Sequence, residues 1–542
     1  MADQKFTTWW AVVHIAIILF RYTPCLYVAG IASLFLINGS GAWDLTSMRI
    51  LCGALTAEAV YYLSAWRPYH ARLNLPAEYP ELWPATRKER RELFDECFAH
   101  VSEPEAYLRW WFLGSDRHDI RRDNVREFIT WGFFDRDSLY PDVHPEDAEL
   151  QKEIDEYVAA FEKKLGSPLA EGRGPAKSLR LTVDPIQTAY RGLAWYSVVF
   201  LIDQLTHLSM ALMGFRYHPP AEGAPVFPPR PQVLLASETS PASSLGYWFK
   251  PHRAGPDTLP VVFFHGIGIG LWTYLRFFCG ISKPNDNGSS LGVIAIEMLP
   301  ISFRLTSPLP RQSEFVRQVT NILDYHGWDQ VSAVSHSYGS VPTTHIIRSP
   351  ELKHRVTSVV LLDPVTILLH LPYVAYNFTR RAPSATNEWV LWYFASTDPG
   401  VAHCLGRHFF WRHNAVFKRE LLAPVPIHQH GHSDRAQSDG SAQLGRDSSD
   451  SSNDDHIYVR PRRVAVCLSG RDLIVETGAV AQYLTQQEEP KGGESHIEES
   501  TITRTDDSIE VMIFPDLDHA QIFTTAKDTS RVIDLVKNYC KI

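Results

Sequence analysis

The sequence predicts an α/β protein: a mostly parallel sheet of about eight strands in its C-terminal part, preceded by helices and by strongly apolar N-terminal segments. Three observations carry this reading. From about residue 233 onward, short apolar runs alternate with helix-compatible segments, as strands buried on both faces do. Within that region Val331–Ser340 reads VSAVSHSYGS, an apolar run that enters a turn of small residues, followed by a helix-compatible run. Before residue 67, three apolar runs follow one another, the third carrying Glu58.

The strand candidates in chain order are Ser244–Lys250, Leu259–Phe264, Leu291–Glu297, Val331–Val334, Val356–Leu362, Arg463–Leu468 and Ile509–Phe514. Helices are expected at Glu314–His326, at Val341–Arg348, and from about Thr525 to Cys540. Two insertions interrupt the series. Residues 365–424 are long and aromatic, and sit where a cap over a site would. Residues 428–457 are rich in Ser, Asp, Gln and Gly with almost no large apolar side chains, so they are expected to be disordered. His428, His430 and His432 have a spacing that can bind metal, but such a segment offers no surrounding shell to hold the ligands, and no metal site is expected. Gln486–Ser508 is a further polar loop.

The N-terminal part divides into residues 1–67, apolar and membrane-associated, and 68–218, a helical subdomain. Trp9–Phe20, Cys25–Ile37 and Ile50–Trp66 are apolar, yet none is a clean run of about 20 residues. Met1–Thr8 is only weakly basic, unlike a signal peptide. A retained anchor is expected: a spanning or re-entrant pair within 9–37, with a third candidate at 50–66. The alternative is a set of buried helices in a soluble domain. Arg67, Arg72 and later basic residues favour a cytosolic position for the chain beyond the anchor, on an intracellular membrane. Residues 68–84 read as a Pro-rich linker. Helices are expected at Arg87–Val101, Glu105–Leu113, Ile120–Phe134 and His144–Leu165. Their aromatics, Trp110 and Trp111 among them, suit either core packing or a wall for an apolar substrate. Leu193–Phe215 is long and apolar but broken by Asp203, Gln204, Thr206 and His207, which predicts a buried or membrane-surface helix rather than a span. Residues 219–232 are a proline-dense hinge, and the sheet domain is expected over 233–542.

Bulk properties exclude several classes. The 542 residues carry a formal charge of −9 and no extended basic stripe, which argues against a nucleic-acid partner. Seven scattered cysteines without C-x-x-C spacing argue against a disulfide framework or a zinc site, and favour a reducing compartment.

The chemistry-bearing residues stand at strand ends. Ser337 lies in a strand–turn–helix with Ser335 and Gly339 as small neighbours, the layout that exposes a nucleophilic serine. His265-Gly266-Ile267-Gly268-Ile269-Gly270 follows a strand but has neither dinucleotide nor P-loop spacing. It suits an oxyanion hole, with the N–H of Ile267 joining that of Tyr338. Such a donor is worth about 3 kcal/mol. A serine nucleophile needs a base and an acid to orient it. Past Arg463–Leu468 comes Asp472, and past Ile509–Phe514 comes His519, the expected acid and base. Asp363, at the end of Val356–Leu362, competes for the acid's role. His336 is expected to point inward, and Asp516 and Asp518 to shape the His519 loop.

On His265-Gly266, Ser335–Gly339, Gly470–Asp472 and His519, residues 233–542 resemble the α/β-hydrolase superfamily. The resemblance implies an eight-stranded, mostly parallel sheet, a Ser-His-Asp triad, no cofactor, and a variable cap that sets specificity. Ser335 departs from the family's usual glycine. The N-terminal part is similar to that of uncharacterised membrane-associated fungal serine hydrolases of this fold, a likeness that names no substrate. The expected activity is hydrolysis of a carboxylic ester, with a hydrophobic or lipid-like substrate and a membrane as partners. Acyl transfer by the same triad, or an inactive fold used as an interaction module, are the alternatives.

Overall fold

Nine strands form one sheet in the computed structural model, which describes residues 8–78, 86–137, 145–285, 287–427, 458–485, 502–504 and 509–542. The strands are β1 (Arg216–His218), β2 (Tyr247–Lys250), β3 (Val261–Phe264), β4 (Val293–Ile296), β5 (Val331–His336), β6 (Val356–Leu362), β7 (Arg463–Ser469), β8 (Ile502–Arg504) and β9 (Ile509–Phe514). Their spatial order is β1-β2-β4-β3-β5-β6-β7-β9-β8. The six strands from β4 to β9 in that order are parallel, while β1, β2 and β8 pair antiparallel at the two edges.

Alternation along each strand divides the core into two layers. Val262, Phe264, Val331 and Ala333 face one side, where helices Gln312–Tyr325 and Ser340–Arg348 add Phe315, Val319 and Ile346. Val261, Phe263 and Val334 face the other, where helices Leu275–Ile281 and Ala526–Tyr539 add Phe277, Phe278 and Val536. Burial on both faces explains why these strands read as continuous apolar runs.

Two strands of this sheet escape the sequence reading. β1 and β8 have three residues each, too few to show a period of two. The sheet therefore begins at Arg216, before the proline-dense segment. That segment is also pinned: Arg230 pairs with Asp203 at 3.1 Å and Glu297 at 2.8 Å, and Arg304 joins Asp203 at 2.9 Å. Proline density marked a hinge, but the ion pairs come from residues distant in sequence and fix it to the sheet.

The apolar start, Thr8–Asn38, is two helical segments merged end to end, the pair expected within 9–37. It kinks at Tyr22 (φ −112°, ψ 16°), just ahead of Pro24, which lacks the N–H needed to continue the ladder. It packs against helix Thr46–Tyr61, and among the described residues it is the one helix long and apolar enough to cross a membrane. The expected linker opens instead as helix Arg67–Leu73, with Pro68 tolerated in its first turn. Next in the chain come helices Arg87–Ala99, Pro104–Trp111, Arg122–Phe134 and Pro145–Leu165. Thr86 and Glu89 form a reciprocal cap on the first of these.

Between β6 and β7 the chain forms a series of short helices, including Pro372–Thr379 and Pro399–Arg407. This stretch is tied to the N-terminal part by buried Arg191, which donates to Tyr393 O and Thr397 Oγ1 and stacks over the Tyr393 ring. Residues 79–84 of the expected linker, the insertion 428–457 with its three histidines, and residues 486–501 and 505–508 of the polar loop lie outside the described residues.

Candidate active site

The site grows from the turn after β5. Ser337 has φ +53°, a left-handed conformation that L-residues adopt at a cost and keep only where the surroundings hold it. The surroundings are tight. A Cβ on Gly339 would fall 2.1 Å from Phe264 O, so no other residue fits between β3 and the helix. A Cβ on Gly266 would meet His336 Nδ1 and Ser337 Cβ at 2.8 Å, so the glycine turn after β3 lies directly against the serine. Ser335, where glycine is usual, is fully buried within β5, between Phe264 of β3 and Leu361 of β6.

His336 turns into the interior. Its Nδ1 accepts from Tyr274 OH at 2.8 Å, and that hydroxyl accepts the Gly266 N–H at 3.0 Å. Burial holds the His336 pKa well below its ordinary value, so the ring is neutral. Sequence reasoning missed Tyr274, because nothing in the short turn Trp272–Tyr274 signals a contact with residues 62 positions away. His265 joins two loops: its Nδ1 donates to Gly266 O and its Nε2 accepts the Met298 N–H at 2.9 Å. Gly268 N–H donates to Ile301 O at 3.2 Å.

β7 and β9 deliver the acid and the imidazole. Asp472 Oδ1 accepts the N–H groups of Ile474 (2.7 Å) and Val475 (3.0 Å), which fixes its carboxylate. Its Oδ2 lies 2.6 Å from His519 Nδ1, and His519 Nε2 lies 2.7 Å from Ser337 Oγ. In the neutral ring, with Nδ1–H donated to the carboxylate, Nε2 is left to accept from the serine. Asp363, the competing acid, is fully buried and turned elsewhere: it accepts from Ser469 N–H (2.7 Å), Ser469 Oγ (2.9 Å) and Ala520 N–H (3.2 Å). Asp518 accepts the N–H groups of His519 (2.7 Å) and Leu473 (3.0 Å), and Asp516 pairs with Arg471 at 2.6 Å.

An antiparallel pair of edge strands leads into six parallel strands, a serine turn follows β5, and an acid and a histidine follow β7 and β9. The chain has the α/β-hydrolase fold. No protein-family model matches the chain, and no curated protein matches it. Among solved structures it is similar to naproxen esterase from Bacillus subtilis, at 12% identity and a TM-score of 0.31, covering 62% of this chain and 96% of that one. It is also similar to a membrane phospholipase A described as a bacterial virulence factor, at 10% identity and a TM-score of 0.35, covering 64% and 94%. These likenesses are distant, and the α/β-hydrolase fold rests on the strand order.

The electrostatics are set by burial and by carboxylates. Burial alone would lower the His519 pKa, but Asp472 first, then Asp363 and Asp518, outweigh it and raise it to about 9. Burial raises Asp363 to about 6; His519 pulls it down and Asp472 pushes it up. The donor atoms of Asp363, Asp472 and His519 lie within 4.8 Å of one another, and each residue already has hydrogen-bond partners.

Ser337 faces a narrow apolar cavity of about 40 Å³, which Ile267 and Tyr338 also line. Trp111 and Trp131 reach it from the helical region, and Phe378 and Phe409 from the stretch between β6 and β7. The indoles are held by their N–H groups: Trp111 donates to His370 O at 3.3 Å, Trp131 to Thr182 Oγ1 at 2.8 Å, and Trp411, also lining the cavity, to Gly132 O at 2.8 Å. Trp111 is buried in the core and also lines the cavity.

Proposed function

We propose that the protein is a membrane-attached serine hydrolase that cleaves a carboxylic ester. The observation that carries this reading is the hydrogen-bonded chain from Ser337 Oγ through His519 to Asp472, opening on an apolar cavity. His519 Nε2 takes the proton as Ser337 Oγ attacks the ester carbonyl. The N–H groups of Ile267 and Tyr338 hold the tetrahedral oxyanion. His519 then protonates the departing alcohol and leaves an acyl-enzyme. Water, deprotonated by His519, attacks the acyl carbon, and the acid and free Ser337 are released. Asp472 fixes the tautomer of His519 and stabilises its charged form. Apart from the attacking water, each step uses side chains and backbone of this chain.

The cavity lining favours an apolar acyl group, and the helix Thr8–Asn38 favours an ester drawn from a membrane. The experiment is hydrolysis of a series of acyl esters by the full-length protein and by Ser337→Ala. Ester cleavage that disappears in the variant supports the reading. Cleavage that persists unchanged removes it.

A further inference from the structure

Helix Leu193–Leu212 is apolar on both sides. Trp195, Tyr196, Val199, Thr206 and Met210 are buried against the protein. The opposite side carries Leu201, Leu205, Leu208 and Leu212 at intervals of three and four residues, which align as one stripe. These leucines are 58%, 49%, 55% and 79% exposed. Asp203, the helix's one formally charged residue, is turned inward onto Arg230 and Arg304. A surface helix facing water carries its charge outward. Here the arrangement is reversed.

A second apolar element is clamped beside the stripe. Gln204 Nε2 donates to Gln232 Oε1 at 2.8 Å, and Gln232 Nε2 donates to Asp203. This fixes the short turn Pro231–Leu235, whose Leu234 and Leu235 are 87% and 80% exposed. A third element adjoins the same helix. Phe20 of Thr8–Asn38 packs edge-on against Trp195 at 5.5 Å, while Ile15, Ile18 and Leu19 remain exposed.

We propose that the Leu201–Leu212 stripe and the Leu234–Leu235 tip form a second contact surface for a fluid phospholipid bilayer. The inference rests on the membrane-attachment reading and extends it from a tether to a seat. The occupant is lipid because the helix that carries the stripe packs against Thr8–Asn38, whose apolar residues are mostly uncovered by protein. The exposed stripe carries no formal charge to oppose leaving water. Two contacts on one rigid body fix its orientation at the bilayer, where a single helix on a linker would not.

The test uses the full-length protein with Cys25, Cys52 and Cys279 changed to serine, reconstituted in phosphatidylcholine vesicles. An environment-sensitive fluorophore is placed at Leu205→Cys, Leu234→Cys, Ile18→Cys and Arg317→Cys, one per variant, and fluorophosphonate labelling of Ser337 checks that each folds. The proposal expects a blue shift and quenching by nitroxide-bearing lipids at 205, 234 and 18, and neither at 317. If 18 is quenched while 205 and 234 stay in water, the second surface is wrong and membrane attachment stands. If none is quenched, both fall. A blue shift at 205 and 234 without lipid quenching means that another copy or another segment covers the face, and also overturns the proposal.

Discussion

Asp363 Oδ2 accepts the N–H of Ala520 at 3.2 Å, one residue beyond His519. The same carboxylate holds Ser469, three residues before Asp472. One buried side chain therefore ties the loop carrying the imidazole to the loop carrying its acid, without touching either group through a hydrogen bond. Ala520 has φ +65°, a conformation the clamp helps to hold.

The two aspartates should separate by substitution. Asp472→Asn removes the anion that fixes the His519 tautomer, so kcat should fall by roughly ten-thousandfold with the fold intact. Asp363→Ala leaves the buried Ser469 N–H without an acceptor, at about 1–3 kcal/mol of stability, and removes the acceptor of the part-buried Ala520 N–H as well. Its main effect should appear in thermal or denaturant unfolding. Equal unfolding midpoints for Asp363→Ala and the parent would contradict the clamp.

Activity should rise with pH. His519 must be neutral to take a proton, and its pKa is raised to about 9. The acid limb of kcat/KM should therefore have its midpoint near pH 9. The same shift acts on stability with the opposite sense. The folded pKa exceeds the unfolded value of about 6.5, so the contribution is complete below pH 6.5 and is lost as pH rises through 9. Asp363→Asn removes one of the anions raising His519 and should move the limb to lower pH. A limb unchanged in that variant would show that Asp363 does not reach His519 electrostatically.

Trp131 closes the cavity from a segment far from the sheet. Trp131→Ala should extend the pocket and shift ester preference toward longer acyl chains, as read from kcat/KM across a chain-length series. The lost packing should cost about 3–5 kcal/mol. An unchanged profile in a folded variant would remove Trp131 from the acyl pocket.

Arg230 neutralises two buried carboxylates, Asp203 and Glu297. Arg230→Ala leaves them facing each other with Arg304 as the remaining partner, so urea unfolding should show a loss of about 3–5 kcal/mol. A loss under about 1 kcal/mol would mean that the proline-dense segment is held by other contacts.

How much was legible depends on where each signal lies. Ser337, Asp472 and His519 each stand just past a long apolar strand, and β5, β7 and β9 bring them within hydrogen-bond reach. The choice between Asp472 and Asp363 was not legible. Both come after strands, and only the loop Ser469–Val475 decides which carboxylate faces the imidazole. β1 and β8 were too short to show periodicity. Thr8–Asn38 reads as two segments because Arg21–Pro24 interrupts the apolar run, and the non-helical Tyr22 that divides the helix falls there. Tyr274, Arg191 and Arg230 act through partners remote in sequence, which no local pattern reveals.

The most direct test of the central claim is labelling of the full-length protein with a fluorophosphonate probe, followed by mass-spectrometric mapping of the adduct. The account predicts one modified residue, Ser337, with labelling abolished in Ser337→Ala and strongly reduced in His519→Ala. Labelling at another serine, or no labelling of folded protein at pH 9, would contradict it.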